Sequence, residues 1–139
     1  MGYGFQVVVD SPDPHGLADW WAEALGWTVE PQDEAFIRRM IAEGQASDDD
    51  TIVHNGALVW KVGTAITDPG SPRVLFQLVP EPKTVKNRVH LDVHVGTDKM
   101  EAEVARLVSM GATESHRGRQ GPYTWVTLTD PQGNEFCVT

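Results

Sequence analysis

One cysteine, Cys137, stands among 139 residues, so no disulfide can form within the chain and no cysteine-rich zinc site can be built. Long apolar runs are also missing: none approaches the ~18–20 residues that a membrane-spanning helix needs. The opening residues carry no basic stretch leading into an apolar core, so the expectation is a cytoplasmic protein in a reducing compartment, with no membrane partner. Basic side chains are scarce, 11 against 20 acidic for a net charge of −9. A phosphate-binding surface needs clustered lysine and arginine, which excludes nucleic acid as a partner. What is present is an ordinary globular composition, 40% apolar and 22% charged. The length suits one domain, which buries about 68% of its unfolded surface.

Phe5-Gln6-Val7-Val8-Val9-Asp10 is apolar and rich in β-branched residues, which predicts a strand, and Ser11-Pro12-Asp13-Pro14 stops it. The same turn starts a helix. Asp13 can cap it, Pro14 suits its first position, and Leu17, Trp20, Trp21, Ala24 and Leu25 recur at helical spacing until Gly26. Trp20 and Trp21 are adjacent, so one packs fully and the other lies at the core's edge. Trp27-Thr28-Val29-Glu30 reads as a short strand closed by Pro31, and residues 33–46 as a second helix with Ala35, Phe36, Met40 and Ile41 on one face. Ala57-Leu58-Val59-Trp60-Lys61-Val62 and Arg73-Val74-Leu75-Phe76-Gln77-Leu78-Val79 are both strand-like. His54 falls in a turn beside Asn55-Gly56 and His15 at a helix start, both read as surface positions.

Residues 80–87, with two prolines, resemble a linker. Beyond them the pattern starts again: a strand over 88–95, a helix over 98–110 stopped by Gly111, and a short strand over 112–116. The loop Gly118-Arg119-Gln120-Gly121-Pro122 leads to a strand over 123–129, and Asp130-Pro131-Gln132-Gly133 turns into a last strand over 134–139. Both halves therefore read strand, helix, strand, strand, strand. Gln6 precedes Gly26 by 20 residues and His90 precedes Gly111 by 21. This predicts an internal repeat within a single domain 1–139, module one being 1–80 and module two 88–139, with a second helix inserted in the first copy. Much of the acidity belongs to that insertion, where Glu30, Asp33, Glu34, Glu43, Asp48, Asp49 and Asp50 stand against Arg38 and Arg39. A solvated acidic face explains it, and a cation-steering surface is the alternative.

Three motifs in this order, Leu25-Gly26-Trp27 after a tryptophan-bearing helix, Val85-Lys86-Asn87-Arg88-Val89-His90-Leu91-Asp92-Val93, and Asp130-Pro131-Gln132-Gly133-Asn134-Glu135-Phe136, resemble the vicinal oxygen chelate superfamily. Within it the chain is most similar to glyoxalase-like proteins of the glyoxalase and bleomycin-resistance type. The resemblance implies an α+β fold of two βαβββ modules whose curved mixed sheets face one another around a cavity. In metal-dependent members four side chains, mostly His and Glu, hold a divalent ion there, which acts as a Lewis acid. Carried over to this chain, those positions fall on Gln6, Gln77, His90 and Cys137. Two neutral amides are poor donors for a hard cation, so the glyoxalase I reaction is not expected and no cofactor is predicted. A divalent metal enters only through His90.

Strand alternation puts His90, Asp92 and His94 on one face and Leu91, Val93 and Val95 on the other. The polar row either lines a wet pocket or forms a hydrogen-bonded network. As chemistry, His90 can serve as a base with Asp92 fixing its tautomer, and Glu135 supports it from the last strand. Cys137 reads as a small buried residue and no nucleophile role is assigned. Trp60 and Trp125, on strands of the expected sheets, offer an aromatic wall for a planar ligand as an alternative to core packing. His116 precedes Arg117-Gly118-Arg119, a basic loop that can rim an anionic group. Two functions stay open. One is a binding protein that holds a small molecule with Gln6, Trp60, Gln77, His94, Trp125 and Cys137. The other is a lyase, isomerase or dioxygenase acting on a small oxygenated metabolite, with His90, Asp92 and Glu135 as catalytic residues. The resemblance also implies a homodimer.

Overall fold

Each half of the chain closes by pairing its first strand with its last. The computed structural model describes every residue from Met1 to Thr139, and the chain divides into two compact units, Met1–Pro82 and Lys83–Thr139. The first contains β1 (Val7–Ser11), α1 (Pro14–Leu25), β2 (Thr28–Val29), α2 (Glu34–Ala42), a single 3₁₀ turn (Asp48–Asp50), β3 (Thr51–His54), β4 (Ala57–Trp60), β5 (Gly63–Thr67) and β6 (Val74–Leu78). The second contains β7 (Leu91–Val93), α3 (Met100–Ser109), β8 (Thr113–Gln120), β9 (Tyr123–Thr129) and β10 (Glu135–Val138). Each unit has a four-stranded sheet, in the orders β1-β6-β5-β2 and β7-β10-β9-β8. In both, the first strand runs parallel to the last and the other pairings are antiparallel. The fold is α+β and consists of two βαβββ modules with one strand order. Parallel partners need a crossover, which in each module contains a helix.

Local chemistry accounts for the helices. The Asp13 side chain accepts from the Gly16 N–H at 3.1 Å, Pro14 occupies the first turn and Gly26, at φ 71°, ends α1 in the left-handed region. Asp33 caps α2 in the same way, accepting from Phe36 N–H at 3.0 Å. Leu17, Ala18 and Trp21 of α1 are buried with Ala65, Ile66, Val74 and Phe76 of β5 and β6. Trp20 meets Trp21 edge-on at 5.1 Å and stays half-exposed. In the second unit Met100, Val104 and Leu107 of α3 are buried, as are Val126, Leu128, Phe136 and Val138 of the sheet. Full burial of a side chain such as Phe76 or Phe136 is worth about 1.5–3 kcal/mol.

Four local expectations are corrected. Residues 57–60 belong to a separate hairpin with β3, so Trp60 is not on the curved sheet. The sheet strand is Gly63–Thr67, which has four buried residues in succession and so lacks the alternation that reveals a half-buried strand. Residues 116–120 continue β8, and the turn comes only at Gly121-Pro122, so Arg117 and Arg119 are strand residues. His15 is 3% exposed, because its ring reaches the Trp60 carbonyl 45 residues away.

Gly63 shows how closely β5 and β6 approach. A Cβ there would sit 2.1 Å from the Phe76 carbonyl oxygen, and its φ is 156°. Gly63→Ala is therefore expected to lower the urea-unfolding free energy by about 2–3 kcal/mol through overpacking against main chain that cannot yield. An unchanged midpoint would show that β5 can shift.

Candidate functional site

The register of the second sheet assembles one polar row. Asp92 pairs across β7 and β10 with Cys137, Cys137 across β10 and β9 with Thr127, and Thr127 across β9 and β8 with His116. Register partners share a face, so four strands contribute one side chain each. Thr127 Oγ1 lies 3.4 Å from both Cys137 Sγ and His116 Nε2. His90, two residues before Asp92, brings Nε2 to 3.5 Å from Asp92 Oδ1. The ligand atoms of His90, Asp92 and Cys137 all fall within 4.8 Å of one another, with Cys137 buried and the other two exposed. Sequence alternation missed His116 as a member because β8 carries a bulge between Glu114 and His116, which resets the faces.

Other expected residues lie elsewhere. Glu135 is engaged by the segment before β7: its carboxylate accepts from Lys83 Nζ at 2.9 Å and from the Asn87 backbone N–H at 3.0 Å. Burial raises its pKa, but the Lys83 and backbone N–H bonds outweigh that and hold it at about 2. His94 pairs with Thr139 Oγ1 at 2.8 Å. Trp125 is packed over Gly118, where a Cβ would come within 2.2 Å of the indole. Arg117 is held by Glu101 and Glu114, which raises its pKa and occupies the guanidinium.

In the first unit the amides Gln6 and Gln77 do not converge. Gln77 is the register partner of Asp10, four residues beyond Gln6, a separation of about 13 Å along a strand. Gln6 accepts instead from Arg73 Nη1 at 3.0 Å. The four-residue set implied by the resemblance is thus not brought together on the first sheet. The physical cause is register, since β1 and β6 pair parallel with Val7 opposite Val74.

The first unit does contain a cavity of about 430 Å³, with Trp60, Gln77, Glu30 and Arg73 among its lining residues. Trp60 reaches it from the hairpin, and its main chain is gripped on both sides. Its N–H donates to Gln32 Oε1 at 2.7 Å and its carbonyl accepts from His15 Nε2 at 2.7 Å. Gln32 also donates to the Gly63 carbonyl at 2.9 Å. The far end of the hairpin is tied to α1, where Asp19 Oδ2 accepts from His54 Nε2 at 2.6 Å and from Asn55 Nδ2 at 3.1 Å. Trp60 is recognisable in the sequence as an aromatic on a strand, whereas Gln32, Glu30 and Arg73 are not, because their partners are 28 to 67 residues distant.

The donor set of the second unit is an imidazole nitrogen, a carboxylate oxygen and a thiol sulfur. That set fits a borderline ion of the zinc type, which takes three protein ligands and leaves a position open, better than a hard ion such as magnesium or manganese. Without a metal, Asp92 can orient His90 as a proton acceptor.

A family model described as a glyoxalase-like domain matches residues 6–139. No curated protein matches the chain by sequence. Solved structures match over nearly its full length. A hypothetical protein, SA1046 from S. aureus, is 13% identical with a TM-score of 0.65, covering 99% of this chain and 93% of its own. A glyoxalase/bleomycin resistance protein/dioxygenase family enzyme from Burkholderia phytofirmans PsJN is 16% identical with a TM-score of 0.62, covering 96% and 94%. A variant of the fosfomycin resistance protein FosX from Listeria monocytogenes, complexed with Mn(II) and a dihydroxypropylphosphonic acid, is 7% identical with a TM-score of 0.67, covering 99% and 90%. At these identities the likeness is one of fold.

Glu135 supplies a test of the second unit's anchoring. Its folded pKa of about 2 lies below the ordinary glutamate value of 4.5, so its stabilisation is complete above about pH 4.5 and is lost as pH falls toward 2. Glu135→Gln is expected to cost about 2 kcal/mol at neutral pH, the scale of hydrogen bonds to a charged group, and to flatten the stability profile between those limits. Thermal unfolding followed across pH 2–6 checks this, and a variant profile parallel to the wild type would assign the acid sensitivity elsewhere.

Proposed function

Because the chain belongs to the glyoxalase-like domain family of the vicinal oxygen chelate superfamily, we propose that it binds a small organic molecule in the cavity of its first unit. The observation that carries this reading is the cavity itself, about 430 Å³, within the range of about 300–1,000 Å³ usual for ligand pockets. An indole whose main chain is clamped by Gln32 and His15 lines it. The main chain that carries the indole is fixed before a ligand arrives, so binding has only the side-chain rotamer left to order. Pro31, Val62, Leu75 and Leu78 add apolar surface, and Gln77 adds an exposed amide.

A thermal-shift screen of small metabolites tests the reading. Compounds that raise the melting temperature are expected to lose about tenfold or more in affinity with Trp60→Ala, in keeping with the loss of one aromatic contact, and to keep it with His90→Ala. Ligands that respond to His90→Ala and ignore Trp60→Ala would count against the first-unit cavity.

A second reading is favoured by one observation, the meeting of His90, Asp92 and Cys137. In it the chain is an enzyme of the lyase, isomerase or dioxygenase type acting on a small oxygenated metabolite, and these three residues hold a divalent ion of borderline softness. When bound, such an ion polarises substrate oxygens as a Lewis acid. Cys137 would bind as thiolate and His90 through a neutral ring nitrogen, while Thr127 Oγ1, 3.4 Å from Cys137 Sγ, would hydrogen-bond the sulfur. Titration with cobalt(II) under reducing conditions is expected to give a thiolate charge-transfer absorption at one equivalent. The band should disappear with Cys137→Ser and with His90→Ala. Absence of any band in the wild type would remove this reading.

A further inference from the structure

Only two of the residues lining the first-unit cavity are charged, Glu30 and Arg73, and they neutralise each other. Arg73 Nε donates to Glu30 Oε1 at 3.0 Å and to Oε2 at 2.9 Å, and Arg73 Nη2 lies 2.8 Å from Oε2. The far side of the guanidinium is engaged as well, with Nη1 donating to Gln6 Oε1 at 3.0 Å. Glu30 is fixed in turn by its own backbone N–H, which donates to the Ala65 carbonyl at 2.8 Å. The remaining lining groups are amide, hydroxyl, indole and aliphatic.

Resting on the cavity reading above, we propose that this site selects uncharged, planar ligands with an amide-type or hydroxyl edge, and that the Glu30–Arg73 pair sets the selection. Either sign of ligand charge carries a penalty at this pair. An anionic group approaching Arg73 also nears Glu30, and a cationic group approaching Glu30 meets Arg73, so either ligand meets repulsion along with attraction and must also shed water. An uncharged molecule avoids both penalties. Its flat face can lie on Trp60 and its polar edge can exchange hydrogen bonds with Gln77 or with an unused N–H of Arg73, which has five donors in all. The Arg73 bonds hold the Glu30 carboxyl below its usual pKa, so the pair stays ionised at neutral pH and the compensation persists. A phosphonate, of the kind named with the Listeria structure, would find no uncompensated cation here.

The test uses the full chain labelled with 5-fluorotryptophan, whose five tryptophans give fluorine resonances; that of Trp60 is identified by Trp60→Phe. Four probes share one ring system: quinolinone as the uncharged member, and a quinolinecarboxylate, a quinolinephosphonate and an aminomethylquinoline as charged counterparts. Quinolinone is expected to shift the Trp60 resonance, with the charged probes about tenfold weaker or worse. Glu30→Gln leaves Arg73 uncompensated and should bring carboxylate binding up about tenfold, while Arg73→Gln should do the same for the ammonium probe. The four other tryptophan resonances report folding, and a defect in one variant leaves the opposite charge swap to decide. If the wild type binds carboxylate or phosphonate as tightly as quinolinone, the charge selection is wrong although the cavity stands. If no probe moves Trp60 in the wild type or in either variant, the cavity reading fails and the selection falls with it.

Discussion

Two parallel strand pairs, β1 with β6 and β7 with β10, decide which side chains in this molecule can meet. A parallel pair cannot be joined by a tight turn, and each module sends its chain through at least a helix and two further strands before the last strand returns beside the first. Both modules solve this with the same strand order. Register then follows from apolar residues that must face the helix, since a slip of one residue would turn every side chain over. In the second unit that register sets Asp92, Cys137, Thr127 and His116 side by side. In the first it sets Asp10 beside Gln77 and Gln77 beside Gly63. One topology thus presents an ionisable row in one copy and an amide next to a bare glycine in the other.

The elements legible in the sequence are those whose causes are local. Asp13, Pro14 and Gly26 bound α1 through contacts within a few residues, and the structure keeps those bounds. The repeat was legible for a related reason, because spacing between a strand and a helix-ending glycine survives substitution. What escaped has distant causes. β5 has four buried residues in succession and carries no alternation, so the apolar run Ala57–Trp60 reads as the sheet strand in its place, although it pairs with β3. His15 looks like a surface residue until the Trp60 carbonyl, 45 positions on, is brought to it. The bulge that aims His116 at Thr127 leaves no trace in the order of side chains.

The candidate sites divide along the same line. Strand alternation puts His90 and Asp92 on one face, and the family resemblance alone adds Cys137 to His90 as a ligand position, so their association is within reach of the sequence only with that resemblance. Alternation puts Glu135 on the same face as Cys137, two residues earlier, yet its carboxylate is taken by Lys83 and Asn87 of the linker-like stretch. A linker reading treats such residues as solvated and supplies no partner for them. Glu30 gives the complementary case. It belongs to the acidic stretch whose Asp48, Asp49 and Asp50 are exposed, but Arg73 draws it into the wall of a cavity.

The insertion explains why the first copy could change without losing its fold. It enters after β2, a strand of two residues at the sheet edge, and leaves before β5, so the parallel pair is untouched. Lengthening a surface connection costs only about 0.6 kcal/mol per doubling, which leaves the added segment free to be selected for what it contacts. Its hairpin returns to the sheet through Gln32, which bonds both Trp60 and the first residue of β5. That single amide couples the added hairpin to the strand whose close approach to β6 leaves no room for a side chain at Gly63. Gln32 at that joint is fixed by two backbone partners, and the main chain it holds gives the Trp60 indole a firmer base than an untied loop would.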